Sequence, residues 1–352
     1  MKPARTAIAV LAGALLLAAC GSAATPRPAP ASTTAPSASV PSVVGPAAPV
    51  DPAGPAASDD PAGPPSEQAG DPSGDLSGDL SVDPPGDLPA AFSDDETMVW
   101  IPAGDHRVPG TLALPSAAPG QQVPAVLLLH GDLSSRDENG EMFARLAAAL
   151  AARGIASLRI DFAGTGDSEE PDLALDYPDM VADATASLDY LRADEAIDPA
   201  RVAVLGLSRG GGIGATVTGT EPGVAAFVSW SGAVYNGYDE DPDGHETARE
   251  DGYVPLDFGD RTFKLGLNWF DTIEQSHPLD DISGYTGPVL AVVGSDDQVV
   301  DPQVSTIFLD TVASTDTTLH VVDGADHGFT ADEAVGDEAI GVTTDWLVAR
   351  LG

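Results

Sequence analysis

The sequence predicts an α/β fold: a mostly parallel sheet with helices on both faces, built by the chain from about residue 96 onward. Three observations carry this expectation. Short apolar runs of buried-strand type alternate with segments of helical periodicity. Successive strand–helix–strand units connect by right-handed crossovers, which sets a helix layer against each face of the sheet. The stretch from 97 to 352 also has the length of one such domain rather than two.

The elements follow in order. Residues 98–101 and 108–114 read as opening strands, and 125–129 (AVLLL) is a continuous apolar run of the kind buried on both sides. Residues 142–153 (MFARLAAALAAR) are helical, and Gly154 ends that helix. A strand over 155–160, a helix over 179–192, a strand over 202–207 and a helix from Arg209 come next. Residues 224–230 and 289–293 are further buried strands, separated by an insertion over 233–288. A helix over 303–312, a strand over 318–322 and a helix over 333–350 complete the domain. In sheets of this type functional groups gather at the carboxyl ends of the strands.

The chain before residue 96 has a different character. Lys2 and Arg5 precede an apolar stretch, 7–19, that is too short for a membrane span. It ends in Leu17-Ala18-Ala19-Cys20-Gly21, which is similar to a bacterial lipobox, so residues 1–19 are expected to be a lipoprotein signal peptide. Cys20 would then carry the lipid as a thioether, which accounts for the one cysteine in the chain; the alternative is an ordinary secretory signal with an incidental cysteine. Residues 20–95 are expected to be a disordered tether, since they hold 16 of the 31 prolines among Ala, Ser, Gly and Asp and have too little apolar surface to offset ordering entropy. The aspartates of its quasi-repeat (GDPS, GDLS, GDLS, VDPP, GDLP) match no calcium-loop spacing and read as a solvated spacer. The expected location is outside the bacterial cytoplasmic membrane, anchored to it, with the folded domain facing outward.

Charge narrows the function classes. Lys+Arg number 15 against 55 Asp+Glu, a formal net charge of −40. Residues 97–352 alone hold 12 and 43, so the folded domain is itself strongly acidic and repels phosphate backbones; a nucleic-acid partner is excluded. One cysteine excludes a disulfide framework.

The strongest chemical signal is Gly206-Leu207-Ser208-Arg209-Gly210, between an expected strand and an expected helix. G-x-S-x-G in that context is a nucleophile elbow: the tight turn lifts the serine hydroxyl to a helix N-terminus, and the flanking glycines let strand and helix approach. A phosphate loop is the competing explanation for the run of glycines to Gly214. No lysine stands at the Walker spacing, however, and no acidic residue follows a neighbouring strand as a dinucleotide site requires. A nucleophilic serine needs a base oriented by a carboxylate, and after an elbow of this kind the acid precedes the histidine. His327 lies in a loop beyond the 318–322 strand and is the expected base; Asp296 and Asp297 follow the 289–293 strand, and periodicity does not choose between them. His320 lies within a strand, and His106, His245 and His277 in polar or insertion segments. The expected oxyanion donors are the backbone N–H groups of Arg209 and Asp132, with His130 a buried hydrogen-bonding residue that shapes the turn. No cluster at ligand spacing implies a metal, and no cofactor is expected.

These residues resemble the α/β-hydrolase superfamily over the whole of 97–352. Further matches are His130-Gly131, Asp161-x-x-Gly164-x-Gly166-x-Ser168 and G-x-x-D-x-x-V at 294–300. The resemblance implies an eight-stranded, mostly parallel sheet with a small lid over about 233–288, part of which (252–259 and 261–266) would be a β-hairpin. It also implies that the acid is Asp297. Within the superfamily the sequence looks most like bacterial feruloyl (cinnamoyl) esterases and serine-aminopeptidase-like hydrolases, at RIDFAGTGDS (159–168), DATASLDYL (183–191) and PLDDISGYTGPVL (278–290). It departs from them in Asp132, where an apolar residue is usual, in Arg209, where Gln or Met is common, and in the acidic run at 239–246. The expected function is hydrolysis of carboxylic esters, small-molecule or linked to cell-wall polysaccharide, through an acyl-enzyme on Ser208, Asp297 and His327. A peptidase or acyltransferase on the same residues is the alternative. A non-catalytic envelope-binding lipoprotein is a third, and the presence of all three site residues argues against it.

Overall fold

The computed structural model describes residues 96–118, 120–237, 241–257 and 261–352. The expected signal peptide, Cys20 and the tether lie outside the described residues, as do 239 and 240 of the acidic run.

β1 (Glu96–Ala103) and β2 (His106–Ala113) open the chain as an antiparallel hairpin in full register, Glu96 opposite Ala113. β3 (Val123–Leu129), α1 (Met142–Ala152), β4 (Ala156–Ile160), α2 (Tyr177–Ala193), β5 (Ile197–Leu207), α3 (Arg209–Thr220) and β6 (Phe227–Trp230) follow. Between β6 and the next core strand lie α4 (Pro242–Asp251), β7 (Tyr253–Asp257), β8 (Thr262–Gly266), α5 (Leu267–Glu274) and α6 (Pro278–Ile282). β7 and β8 pair antiparallel as a separate hairpin, where a hairpin was expected. β9 (Val289–Gly294), α7 (Gln303–Thr311), β10 (Thr317–Val322) and α8 (Glu333–Leu351) close the domain.

The main sheet has eight strands in the order β1-β2-β4-β3-β5-β6-β9-β10. β1, β2 and β4 meet antiparallel, and every pair from β4 to β10 is parallel. Each parallel strand therefore ends at the same edge. The AVLLL run explains the two helix layers. Val126 and Leu128 of β3 point into one core, with Phe143 and Leu146 of α1 and Ile340 and Leu347 of α8. Ala125, Leu127 and Leu129 point into the other, with Leu188 and Leu191 of α2 and Ile213 and Val217 of α3. All of β3 is buried, so period-2 alternation is invisible in its sequence but governs its packing.

Two boundaries differ from expectation by more than two residues. β5 starts at Ile197, because buried Ile197 pairs with Val123 before a register shift takes up the Asp198-Pro199 step, and a proline inside a strand is confined to such irregularities. β6 starts only at Phe227. Ala225 donates to Val202 and Ala226 accepts from Val204, but regular pairing begins one residue later.

His106 anchors the β1–β2 hairpin to α2: its Nε2 lies 2.7 Å from Oδ1 of Asp183, a nearly buried carboxylate. Burial raises Asp183 to about 6, against the hydrogen bond and charge of His106. His106 is raised as well; its own desolvation is outweighed by the bond and charge of Asp183. Both folded values lie above the unfolded ones, so the native state holds more protons, and folding stability falls as pH rises through that range. His106→Ala should destabilise by ~1–3 kcal/mol through the buried carboxylate it strands, by more at pH 8, where Asp183 is ionised, than at pH 5. Urea midpoints at the two pH values test this, and a larger loss at pH 5 would contradict it.

Candidate active site

β5 delivers Ser208 to the carboxyl edge of the sheet with φ 53° and ψ −121°, a conformation unfavourable for a residue with a Cβ. The flanking glycines are required by contact. A Cβ on Gly206 would lie 2.0 Å from the carbonyl oxygen of Gly210, and one on Gly210 would lie 2.0 Å from that of Leu129. The turn is held by three backbone bonds: Ser208 N–H to Trp230 O at 3.0 Å, and Gly211 N–H and Ala233 N–H to Ser208 O at 2.9 and 2.8 Å. Ser208 is the N-cap of α3 and its side chain caps nothing, so its hydroxyl stands beside the positive end of a helix.

The loops after β9 and β10 supply the other pair. His327 Nδ1 donates to Asp297 Oδ2 at 2.9 Å, and Asp297 Oδ1 accepts from the backbone N–H groups of Val299 at 2.8 Å and Val300 at 3.0 Å. Burial would raise the Asp297 carboxyl. The hydrogen bond and charge of His327, together with the two N–H groups, outweigh it and hold the group below the ordinary carboxylate range. Asp296 is exposed and accepts from the hydroxyl of Ser295, 3.3 Å away. The two loops touch closely, since a Cβ on Gly294 would lie 2.3 Å from Ala325 O. Asp326 fixes the turn beyond His327 by accepting from Thr330 N–H, Thr330 Oγ1 and Ala331 N–H. Phe329 then packs edge-on against Trp230, centroids 5.5 Å apart, and Trp230 is the residue whose carbonyl holds Ser208. The histidine loop and the serine turn thus rest on one residue, the first on its ring and the second on its carbonyl.

The third loop follows β3. His130 is buried: its Nε2 accepts from Phe162 N–H at 3.1 Å and its Nδ1 donates to Gly131 O at 2.7 Å, which makes it a neutral strut of the turn. A Cβ on Gly131 would meet that of Ser208 at 3.2 Å, so this turn lies directly against the elbow. Glu138 organises the loop, accepting from Gly131 N–H with one oxygen and from Ser134 Oγ with the other. Asp161 does the same for the loop after β4, where it accepts from Arg136 N–H and Asp167 N–H and pairs with the Arg136 guanidinium.

No role for Glu138 or Arg136 was legible in the sequence, and Asp132 and Arg209 were expected only as backbone donors. Their side chains meet: Arg209 Nε and Asp132 Oδ2 are 3.2 Å apart. The one available signal was that both positions depart from the family pattern. Of the other four histidines, three pair with carboxylates through Nε2, His106 with Asp183, His245 with Asp271 and His320 with Glu338, and His277 is exposed at the start of α6. His106 belongs to β2 rather than to a polar loop. A cavity of about 340 Å³ opens beside the β3 loop, lined among others by Leu133, Ser134, Thr165, Arg261 and Phe263, so that β8 and the residue before it contribute one part of its wall. Among the described residues no group of three or more His, Cys, Asp or Glu is arranged to hold a metal ion, and no helix is long and apolar enough to cross a membrane.

Comparison with solved structures shows the same fold. Est1E from Butyrivibrio proteoclasticus, solved with ferulic acid bound, is 20% identical with a TM-score of 0.60, over 72% of this chain and 98% of that one. The esterase domain of a Rhodothermus marinus protein is 21% identical with a TM-score of 0.55, over 73% and 99%. The alpha/beta hydrolase GrgF from Penicillium sp. sh18 is 15% identical with a TM-score of 0.61, also over 73% and 99%. None of the curated proteins compared matches the sequence. The model of the family described as Serine aminopeptidase, S33 matches residues 120–245 and 260–334, more than half of the chain and all three loops of the site. The fold is that of an α/β-hydrolase, and the chain belongs to this family of serine hydrolases.

Proposed function

We propose that the protein is a carboxylesterase acting through an acyl-enzyme on Ser208. The observation that carries this is the strained serine at the N-terminus of α3, joined through Trp230 to a loop in which His327 is hydrogen-bonded to buried Asp297. With Nδ1 engaged by Asp297, the imidazole has Nε2 left to take the Ser208 proton as Oγ attacks the ester carbonyl. The tetrahedral oxyanion is stabilised by the backbone N–H groups of Arg209 and Asp132. Its collapse expels the alcohol, which receives the proton from His327. Water, activated by the same imidazole, then attacks the acyl-enzyme, and Ser208 leaves with its proton restored. Asp297 stays ionised and keeps the ring in the tautomer that both steps need.

Esters of aromatic acids are the first substrates to test, since Est1E was solved with ferulic acid. Peptide hydrolysis is the second reading, favoured by the description of the matching family as an aminopeptidase. Wild-type protein is expected to react with a fluorophosphonate at Ser208 and to hydrolyse p-nitrophenyl esters or methyl ferulate faster than aminoacyl p-nitroanilides. Ser208→Ala should lose both labelling and turnover. Anilide cleavage that outpaces every ester would turn the assignment to a peptidase.

The acid can be tested against its neighbour. Asp297→Asn should lower kcat by ~10⁴-fold, because the amide no longer holds the productive tautomer. Asp296→Asn should change it by less than about tenfold, because that side chain is exposed and bonded to Ser295. Steady-state kinetics on one ester decide; the reverse order of losses would assign the acid to Asp296.

We further propose that Cys20 carries a lipid and holds the domain outside the cytoplasmic membrane on a tether. Seventy-five residues reach ~50 Å as a coil and ~230 Å as extended polyproline, enough to enter a cell wall. Cys20→Ala should leave the protein unprocessed or released from membranes on fractionation. Normal processing with retained membrane association would refute the anchor.

A further inference from the structure

We propose that Asp132 and Arg209 form a charge-neutralised clamp across the oxyanion site, in which each side chain exists to offset and orient the other. The inference rests on the esterase mechanism above. Both residues carry a proposed oxyanion donor on the backbone and an ionic group on the side chain. They sit side by side because β3 and β5 are neighbours, with Leu129 opposite Gly206. The Arg209 side chain is 3% exposed and the Asp132 side chain 19%, with Nε and Oδ2 3.2 Å apart. Behind them the guanidinium lies 5.8 Å from the ring centroid of Trp269, a 2% exposed residue on α5 of the insertion. The guanidinium therefore sits between a carboxylate and an aromatic face.

The two side chains bear on each other across the site. Without Arg209, the Asp132 carboxylate would add negative charge beside the oxygen that becomes negative in the transition state, and such repulsion is strong wherever substrate excludes water. Arg209 cancels that charge. The bond also ties the β3 loop to the first residue of α3, which are the two backbone segments whose N–H groups must converge to ~3 Å from a single oxygen. The clamp acts through these backbone groups, so Arg209 and Asp132 are positioning residues as far as their side chains are concerned. The two departures from the family pattern noted in the sequence are thereby one paired feature.

A plain structural tether and an electrostatic clamp differ in symmetry. A tether loses equally from either end. The clamp loses most when the carboxylate is stranded. Arg209→Gln should therefore lower kcat by about 100-fold with KM changed less than about threefold, as expected of an interaction made only in the transition state. Asp132→Asn should lower kcat by less than about tenfold. The double variant D132N/R209Q should recover at least about tenfold over R209Q, a coupling that a double-mutant cycle reads directly. Fluorophosphonate labelling rates should follow the same order. Equal losses from the two single variants, or a double variant no better than R209Q, would overturn the clamp. If R209Q does not fold, D132N/R209Q against D132N carries the comparison: within about threefold supports the clamp, and a further 100-fold fall overturns it. The same experiment separates this inference from the one beneath it. Wild-type protein that neither labels nor hydrolyses esters overturns both, whereas active wild-type with no charge asymmetry overturns the clamp alone.

Discussion

The contact of Gly210 with the carbonyl oxygen of Leu129 is the constraint on which the site depends. α3 must start almost on top of the end of β3, and no side chain fits between them. With that approach made, the turn at Ser208 has room for one course only, and its positive φ follows from the geometry of two neighbouring strands rather than from any preference of serine. The same approach brings the β3 loop against the elbow at Gly131 and places Asp132 within reach of Arg209. The turn at Ser208, the close approach of the β3 loop and the Asp132–Arg209 ion pair are thus consequences of one backbone packing event.

Unfavourable backbone is confined to this edge. Among the described residues, those other than glycine with positive φ are Leu133, Glu138, Glu141, Ser208, Ser231 and Phe329, and all lie in loops that follow β3, β5, β6 or β10. Each costs on the order of 1–3 kcal/mol and persists only where the surroundings over-determine it. The surroundings here are the two cores on either side of a fully buried β3. Rigid strands below make strained loops above affordable, and strained loops hold polar groups in directions that relaxed ones would not.

Much of this was legible before the structure, for identifiable reasons. Parallel strands buried on both faces are continuous apolar runs, and AVLLL stands out in any composition. The serine turn was legible because its glycines are sterically compelled. The extension of β5 to Ile197 was not, since Pro199 reads as a breaker and only the register shift beside Val123 accommodates it. Asp296 and Asp297 were indistinguishable from the residues alone, as adjacent carboxylates in one loop differ only in direction; three-dimensional placement sends one to His327 and the other to solvent. The pairing of Asp132 with Arg209 spans 77 residues and follows no period, so nothing local announces it.

The placement of His327 has a consequence for biogenesis. The loop that carries it follows β10, the last strand of the sheet, and its turn is stabilised by packing on Trp230 of β6. A chain emerging from the ribosome already contains Ser208 for more than a hundred residues of further synthesis before His327 exists. Even then the His327 loop takes its place only when β10 has docked beside β9 and Phe329 has found Trp230. On the proposed mechanism a chain of this topology is inert while incomplete, and the appearance of turnover in a refolding experiment would time the docking of the final strand rather than the collapse of the core.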